Sequence, residues 1–325
     1  MFKKIIRALK TADLGNPGKR ILNGLLGVAL VFGMVWLLIR TGYYGLMLFT
    51  VVPLGLGALT AHLIHATTLR QAAWAGAIAN LVGSAALLAF GMEGAICMLM
   101  AWPLVLPLGA LGGVLAYQHG RTSARGPGAA IFALLPIGAL GWDFTARPDV
   151  FEVRSAIEIA ASPEQVWKHV VTFPEIPEPS EWYFHTGLAY PKRARIVGSG
   201  AGAVRYCEFS TGPFVEPIEV WDEPRLLRFR VTESPAPMHE WSPYGEILPK
   251  HLHGYLVSKQ GEFRLTPLAG GRTRLEGRSW YQHGLWPAGY WRVWSNAIIH
   301  RIHLRVMNHI KTLAEAEGAP ALEPK

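Results

Sequence analysis

Cysteine is nearly absent: the 325 residues contain two, Cys97 and Cys207. A chain of this length with so few thiols is not a disulfide-stapled scaffold and holds no thiol-rich zinc site. Charge is scarce too. Asp, Glu, Lys and Arg make up 17% of the chain, against about 25% in an ordinary soluble domain. The scarcity is uneven, because residues 1–143 hold 10 Lys+Arg and 3 Asp+Glu while residues 144–325 hold 21 and 20. Catalytic signatures are missing as well: there is no HExxH spacing, Ser–His–Asp pattern, phosphate-cradling Gly loop or Cys nucleophile motif. The formal net charge of +8 suits a polyanion at first sight. Almost all of it sits in the first part, and the near-neutral second part lacks the positive field that phosphate binding needs. Nucleic acid is therefore not an expected partner.

What the first part does have is long apolar runs. Ile21–Ile39, Tyr43–Leu63, Ala72–Met92 and Gly94–Tyr117 contain no Lys, Arg, Asp or Glu. Each matches the roughly 20 residues a helix needs to cross a bilayer. A fifth run, Gly126–Trp142, is uncharged but short. The late start and length of the first run, with further runs behind it, argue against a cleaved signal peptide. Residues 21–143 are thus expected to form a membrane domain of about five spans. Ahead of it, residues 1–20 place Phe2, Ile5, Ile6 and Leu9 at helical spacing among Lys3, Lys4, Arg7 and Lys10, a basic amphipathic segment suited to an anionic leaflet.

Loop charges give an orientation. A cytoplasmic N-terminus puts Lys3, Lys4, Arg7, Lys10, Lys19, Arg20, Arg70, Arg121 and Arg125 on the cytoplasmic side and only Arg40 on the other. With five spans the C-terminal part is extracytoplasmic; with a re-entrant fifth segment it is cytoplasmic. The expected location is a bacterial inner membrane. No Asp, Glu, Lys or Arg lies mid-span, so a proton-coupled transporter is disfavoured. Gly109-x-x-x-Gly113 and Ala72-x-x-x-Gly76 permit close helix packing.

Beyond Asp143 the periodicity changes. Phe151–Ile159 alternates Phe, Val, Ser, Ile, Ile with Glu, Arg, Ala, Glu, the pattern of a strand with one buried face. Ser162-Pro163-Glu164-Gln165 opens a helix as a capping box with Pro at the first position, and the helix ends before Pro174. The Pro-rich piece Glu175–Ser180 is a candidate for one more turn. Extended segments follow at Arg193–Val197, Ala203–Ser210, Phe214–Trp221, Leu226–Val231, Gly261–Pro267 and Arg272–Tyr281, separated by turn residues. A long helix over Pro287–Glu317 carries Trp291, Trp294, Ile298, Ile302, Val306, Ile310 and Leu313 on one face. Residues 318–325 read as a flexible tail.

This order, with Ala161-Ser162-Pro163-Glu164-Gln165-Val166-Trp167, Trp221-Asp222-Glu223-Pro224-Arg225-Leu226-Leu227 and Gly270-Gly271-Arg272-Thr273-Arg274-Leu275, resembles the START-like or SRPBCC superfamily of polyketide cyclases and lipid-transfer proteins over about residues 151–315. The resemblance implies an α+β helix-grip domain over 144–317, an antiparallel curved sheet around the last helix, with an apolar cavity between them. It implies no reaction, because the fold hosts carriers, sensors and enzymes.

Between Thr232 and Ser258 lies a segment rich in Pro, His and aromatics, read as an ordered flap over the cavity mouth or a surface facing the membrane or the spans. His239, Glu240, His251 and His253 in it, with His300 and His303 on the last helix, contain ligand types that suit zinc or iron. Their spacing specifies no site, so neither a metal nor a cofactor is expected. For a ligand, the candidates are Tyr206, Glu208, Trp241, His253, Trp280, Tyr281, Trp294 and Ile298, which combine apolar area with polar edges. Strand periodicity puts Tyr206 and Glu208 on one face of their strand and Arg205, Cys207 and Phe209 on the other, with the inward face undecided. The expected protein is a membrane-embedded binder of a lipid or other hydrophobic small molecule, for sensing or transfer. The alternatives are a cyclase- or hydrolase-like enzyme and an assembly protein that docks a protein partner through the flap.

Overall fold

The computed structural model describes residues 17–121, 128–245, 247, 249–252 and 254–318. The basic N-terminal segment up to residue 16, Arg125, His253 and the tail beyond residue 318 lie outside them. The chain divides into two compact units, Met1–Ala146 with Trp241–Lys250, and Arg147–Glu240 with His251–Lys325.

Among the described residues, five helices make up the first unit: α1 (Pro17–Thr41), α2 (a π turn Met47–Val51 continued by Val52–Leu63), α3 (Leu69–Ala89), α4 (Ala95–Arg121) and α5 (Gly128–Thr145). Among the described residues, three helices are long and apolar enough to cross a membrane, over Gly24–Thr41, Leu69–Ala89 and Ala95–Gly120, and Met47–Leu63 is a shorter apolar helix. Small residues bring α2, α3 and α4 into backbone contact. A Cβ on Gly57 or Gly76 would stand 2.0 Å from the Gly109 carbonyl oxygen, and one on Gly113 2.1 Å from that of Ala72. The two small-residue patterns therefore meet each other, as close packing between apolar helices requires. Asn80 Nδ2 donates to the carbonyls of Pro53 (3.1 Å) and Gly76 (3.0 Å). The Asp143 carboxylate accepts from the backbone N–H groups of Leu46 (2.6 Å) and Met47 (2.9 Å), capping the start of α2.

The middle of the Pro- and aromatic-rich segment belongs to this unit. The Ala95 N–H donates to the Trp241 carbonyl at 2.9 Å, and the Tyr244 hydroxyl donates to the Ala89 carbonyl. Both bonds satisfy backbone groups that helix ends leave over, at the end of α3 and the start of α4.

In the second unit, β1 (Val150–Ile159) leads into α6 (Pro163–Val171), then β2 (Pro191–Val197), β3 (Val204–Phe209), β4 (Gly212–Asp222), β5 (Leu226–Arg230), β6 (Leu256–Leu268), β7 (Arg272–His283) and the long α7 (Ala288–Gly318). The capping box forms as the sequence predicts: Ser162 Oγ accepts from the Gln165 N–H, and Gln165 Oε1 accepts from the Ser162 N–H at 3.0 Å. One expectation fails. Glu175–Ser180 forms no turn of helix, and the only further turn before β2 is Phe184–Thr186. Pro174, Pro177 and Pro179 account for this, since each disfavours the helical conformation in the residue before it.

The strands form a seven-stranded sheet in the order β1-β7-β6-β5-β4-β3-β2, with every neighbouring pair antiparallel. One face of the sheet and α6 pack on α7 through Ile159, Val166, Trp167, Val170, Leu227, Leu265, Leu275, Met307 and Ile310. This is the helix-grip architecture, an antiparallel sheet curled around the C-terminal helix.

Candidate functional site

The register decides which polar side chains enter the core. On β3, Arg205 (1% exposed) and Cys207 face inward. Tyr206 and Glu208 face the other way. The Glu208 carboxylate accepts from Arg193 at 2.6 Å and Arg195 at 3.2 Å, which lowers its pKa, and the Arg195 guanidinium lies 4.0 Å from the Tyr206 ring centre. The same side of the sheet carries Glu276 between Arg154 and Arg278, and Glu262 between Arg228 and Arg264. Cross-strand opposite charges stabilise a solvent-side face in this way.

Inside, Arg205 pairs with Glu216 directly across from it on β4, and its Nε donates to the Val171 carbonyl at 3.2 Å. The rings of Phe173, Phe229 and Phe263 surround the guanidinium at 5.5–5.7 Å. Burial opposes the Arg205 charge, yet Glu216 more than offsets it and the pKa rises. Burial pushes the Glu216 carboxyl up, against the pull of Arg205. Beside them, burial pushes the Cys207 thiol up to about 12, so the thiol is inert in the folded domain.

A second polar group lies where α7 crosses β1 and β7. Ser155 Oγ on β1 is 2.6 Å from His300 Nδ1 and 3.0 Å from His303 Nδ1. His303 Nε2 is 2.8 Å from Ser279 Oγ on β7. Burial, with His300 nearby, depresses the His303 pKa to about 4. One turn earlier on the helix, Asn296 Oδ1 accepts from the fully buried Tyr281 hydroxyl at 2.6 Å, and burial raises the Tyr281 pKa. His283, 2% exposed, stacks on Phe151 at 5.1 Å between ring centres, and burial lowers its pKa. Hydrogen bonds so enclosed hold the orientation of the side chains that make them.

The candidate residues are thus dispersed. Tyr281 is in the core, Trp294 and Ile298 share a half-buried face of α7, and Trp280 alternates with Tyr281 onto the outward side of β7. Trp241 groups with the helical unit and is 59% exposed. His300 and His303, weighed as metal ligands, both turn to Ser155. Nothing in the sequence marks Ser279 or Asn296 for this group, whereas Ser155 stands in the apolar row of β1, where a hydroxyl needs an internal partner.

Residues 150–298 match the family described as "Polyketide cyclase / dehydrase and lipid transport". No curated protein matches the chain. Among solved structures, truncated norcoclaurine synthase from Thalictrum flavum is similar at 13% identity, covering 56% of this chain and 99% of that one with a TM-score of 0.34. The Zhui aromatase/cyclase from a Streptomyces species shows 16% identity, 54% and 99% coverage and a TM-score of 0.35. A protein from Nitrosospira multiformis shows 15%, 52% and 99%, and 0.34. With the element order, the register and the family match together, the C-terminal part of this chain is a START-like (SRPBCC) domain that follows a set of apolar helices.

Proposed function

We propose that this protein is a membrane-anchored START-like domain that binds a lipid for sensing or transfer at the membrane surface. The observation that carries the reading is covalent: a domain matching a lipid-transport family shares one chain with helices long and apolar enough to cross a bilayer. Tethering holds a binding site at high effective concentration beside a ligand that resides in the membrane. The ligand-lining residues in this reading are Trp294 and Ile298, which offer aromatic and aliphatic surface on the half-buried face of α7. Five spans with the N-terminus in the cytoplasm place the domain outside the cytoplasm, in keeping with the positive loops. The test is native mass spectrometry of the detergent-extracted full chain. A retained lipid that is lost when Trp294 and Ile298 are both replaced by polar residues supports the reading. A protein that carries no lipid and takes up none from added membrane extract overturns it.

A further inference from the structure

His300, Ser155, His303 and Ser279 form one hydrogen-bonded chain with an open end. His300 is exposed, Ser155 is buried, and His303 and Ser279 are half-buried. The chain runs from the edge strand β1 to β7. At its inner end Ser279 stands opposite Gly261 on β6; the space a side chain would take there is filled by the Phe229 ring, which offers the hydroxyl no oxygen or nitrogen partner.

Counting donors and acceptors shows what this end offers. A hydroxyl donates once, and a neutral imidazole donates once and accepts once. Ser155 lies between two Nδ1 atoms, so it donates to one imidazole and accepts from the other. If it donates to His300, His303 holds its proton on Nδ1, and Nε2 accepts the Ser279 hydroxyl, leaving Ser279 free to accept. If it donates to His303, the Nε2 proton points at Ser279, whose own proton is free to donate. Both directions satisfy the three outer members. Both leave the spare capacity at Ser279 Oγ, as a donor in one case and an acceptor in the other.

The hydrogen-bonded chain itself carries no fixed positive charge. Burial holds His303 neutral, and the flanking α7 arginines, Arg292 and Arg301, are exposed residues whose guanidiniums lie over Phe151 (5.7 Å) and Tyr183 (5.0 Å). An ionised head placed here would lose its water without gaining a counter-charge. Building on the lipid-binding reading, we propose that Ser279, oriented by His303, Ser155 and His300, receives the single uncharged oxygen of the ligand. The ligand class is then a long-chain alcohol, ketone or ester, not a lipid bound through a phosphate.

The experiment uses the full chain in nanodiscs, with hexadecanol and hexadecyl phosphate as probes that share a tail, each displacing an apolar fluorescent dye. Hexadecanol is expected to bind about tenfold more tightly than the phosphate, the worth of one good hydrogen bond set against an unpaired charge. Ser279→Ala should remove that preference while dye affinity is unchanged, and Ser279→Thr, which keeps a hydroxyl, should restore it. Equal binding of the two probes, or a preference that survives Ser279→Ala, overturns the proposal. If dye, alcohol and phosphate all fail to bind, the lipid-binding reading itself is wrong and this inference falls with it.

Discussion

Removing one member of the Arg205–Glu216 pair should destabilise the START-like domain far more than replacing both. Arg205 and Glu216 are 1% and 6% exposed. Truncating one partner of such a pair leaves a buried charge uncompensated and costs about 3–5 kcal/mol. In Glu216→Gln the guanidinium keeps its Val171 and ring contacts but loses its counter-charge. For a domain of this size each kcal/mol lowers the melting temperature by about 2–4 °C, so the drop should be about 6–20 °C. In the double variant Arg205→Met, Glu216→Leu both charges leave together. The side chains that replace them are apolar and meet Phe173, Phe229 and Phe263, so most of the loss should be recovered.

Cys207 supplies a local reporter. It sits beside the pair, is 5% exposed and has its thiol pushed up to about 12, so labelling it requires the domain to open. In a Cys97→Ala background, the temperature at which Cys207 becomes reactive follows this domain and no other part of the chain. Glu216→Gln should bring that temperature down, and the double variant should raise it again. Equal destabilisation by the single and double variants would refute the electrostatic argument, because lost packing would then account for both. A neutral Glu216→Gln would refute it more directly.

Acidification should weaken the domain between about pH 6.5 and 4. The folded pKa of His303 is depressed to about 4, so the unfolded state binds the extra proton; stability is fully present above the unfolded pKa and lost as pH falls towards the folded one. The contribution is on the order of 3 kcal/mol, and melting curves of His303→Gln should show a shallower loss between pH 7 and 5 than the parent. An unchanged slope would contradict this. In the helical unit, Gly109→Leu should push α4 away from α2 and α3, since even a Cβ there would stand 2.1 Å from Asn80 Nδ2. Overpacking of this kind costs about 1–3 kcal/mol or more, visible as a lower melting temperature or aggregation in detergent, whereas Gly120→Leu, with nothing within 4 Å of an added Cβ, should be tolerated. Ser162→Ala removes one half of the capping box at α6 and should cost about 1 kcal/mol, read as a small shift in the Cys207 labelling temperature.

The fold was legible because local and global signals agree. The alternation of Phe151–Ile159, the capping box at Ser162 and the turn at Gly270-Gly271 each name an element on their own, and the structure keeps all three with boundaries moved by a residue or two. The site was less legible, for a geometric reason. Periodicity divides a strand into two faces but does not say which is inward. Tyr206 and Glu208 were therefore as eligible as Arg205 and Cys207 until the pairing with β4 set Arg205 opposite Glu216. The histidines of α7 show a related limit. Their spacing puts His300 and His303 within one turn of each other, and that alone suits a metal. Only the approach of β1 and β7 supplies the two serines that bind them. Long-range partners of this sort leave one trace in the sequence, a polar residue in an apolar row, and Ser155 is such a residue.

The two internal polar groups are built for different tasks, and a single set of variants can separate them. Arg205 and Glu216 balance each other's charge within a ring of phenyl groups, so the loss of either partner alone is felt in stability. The Ser155–His303–Ser279 chain is uncharged and ends in a hydroxyl with spare capacity, so its loss removes little burial and no charge pairing. Ser279→Ala exchanges one small side chain for another in a half-buried position, where about 1 kcal/mol or less of stability is at stake. In the proposed reading, ligand discrimination depends on that hydroxyl. Single variants of the arginine pair should therefore lower the melting temperature and leave the preference between alcohol and phosphate unchanged in the protein that remains folded. Variants at Ser279 should do the reverse. A Ser279→Ala protein that melts many degrees lower with its ligand preference intact would make the chain a structural brace, and the role in recognition would have to be given up.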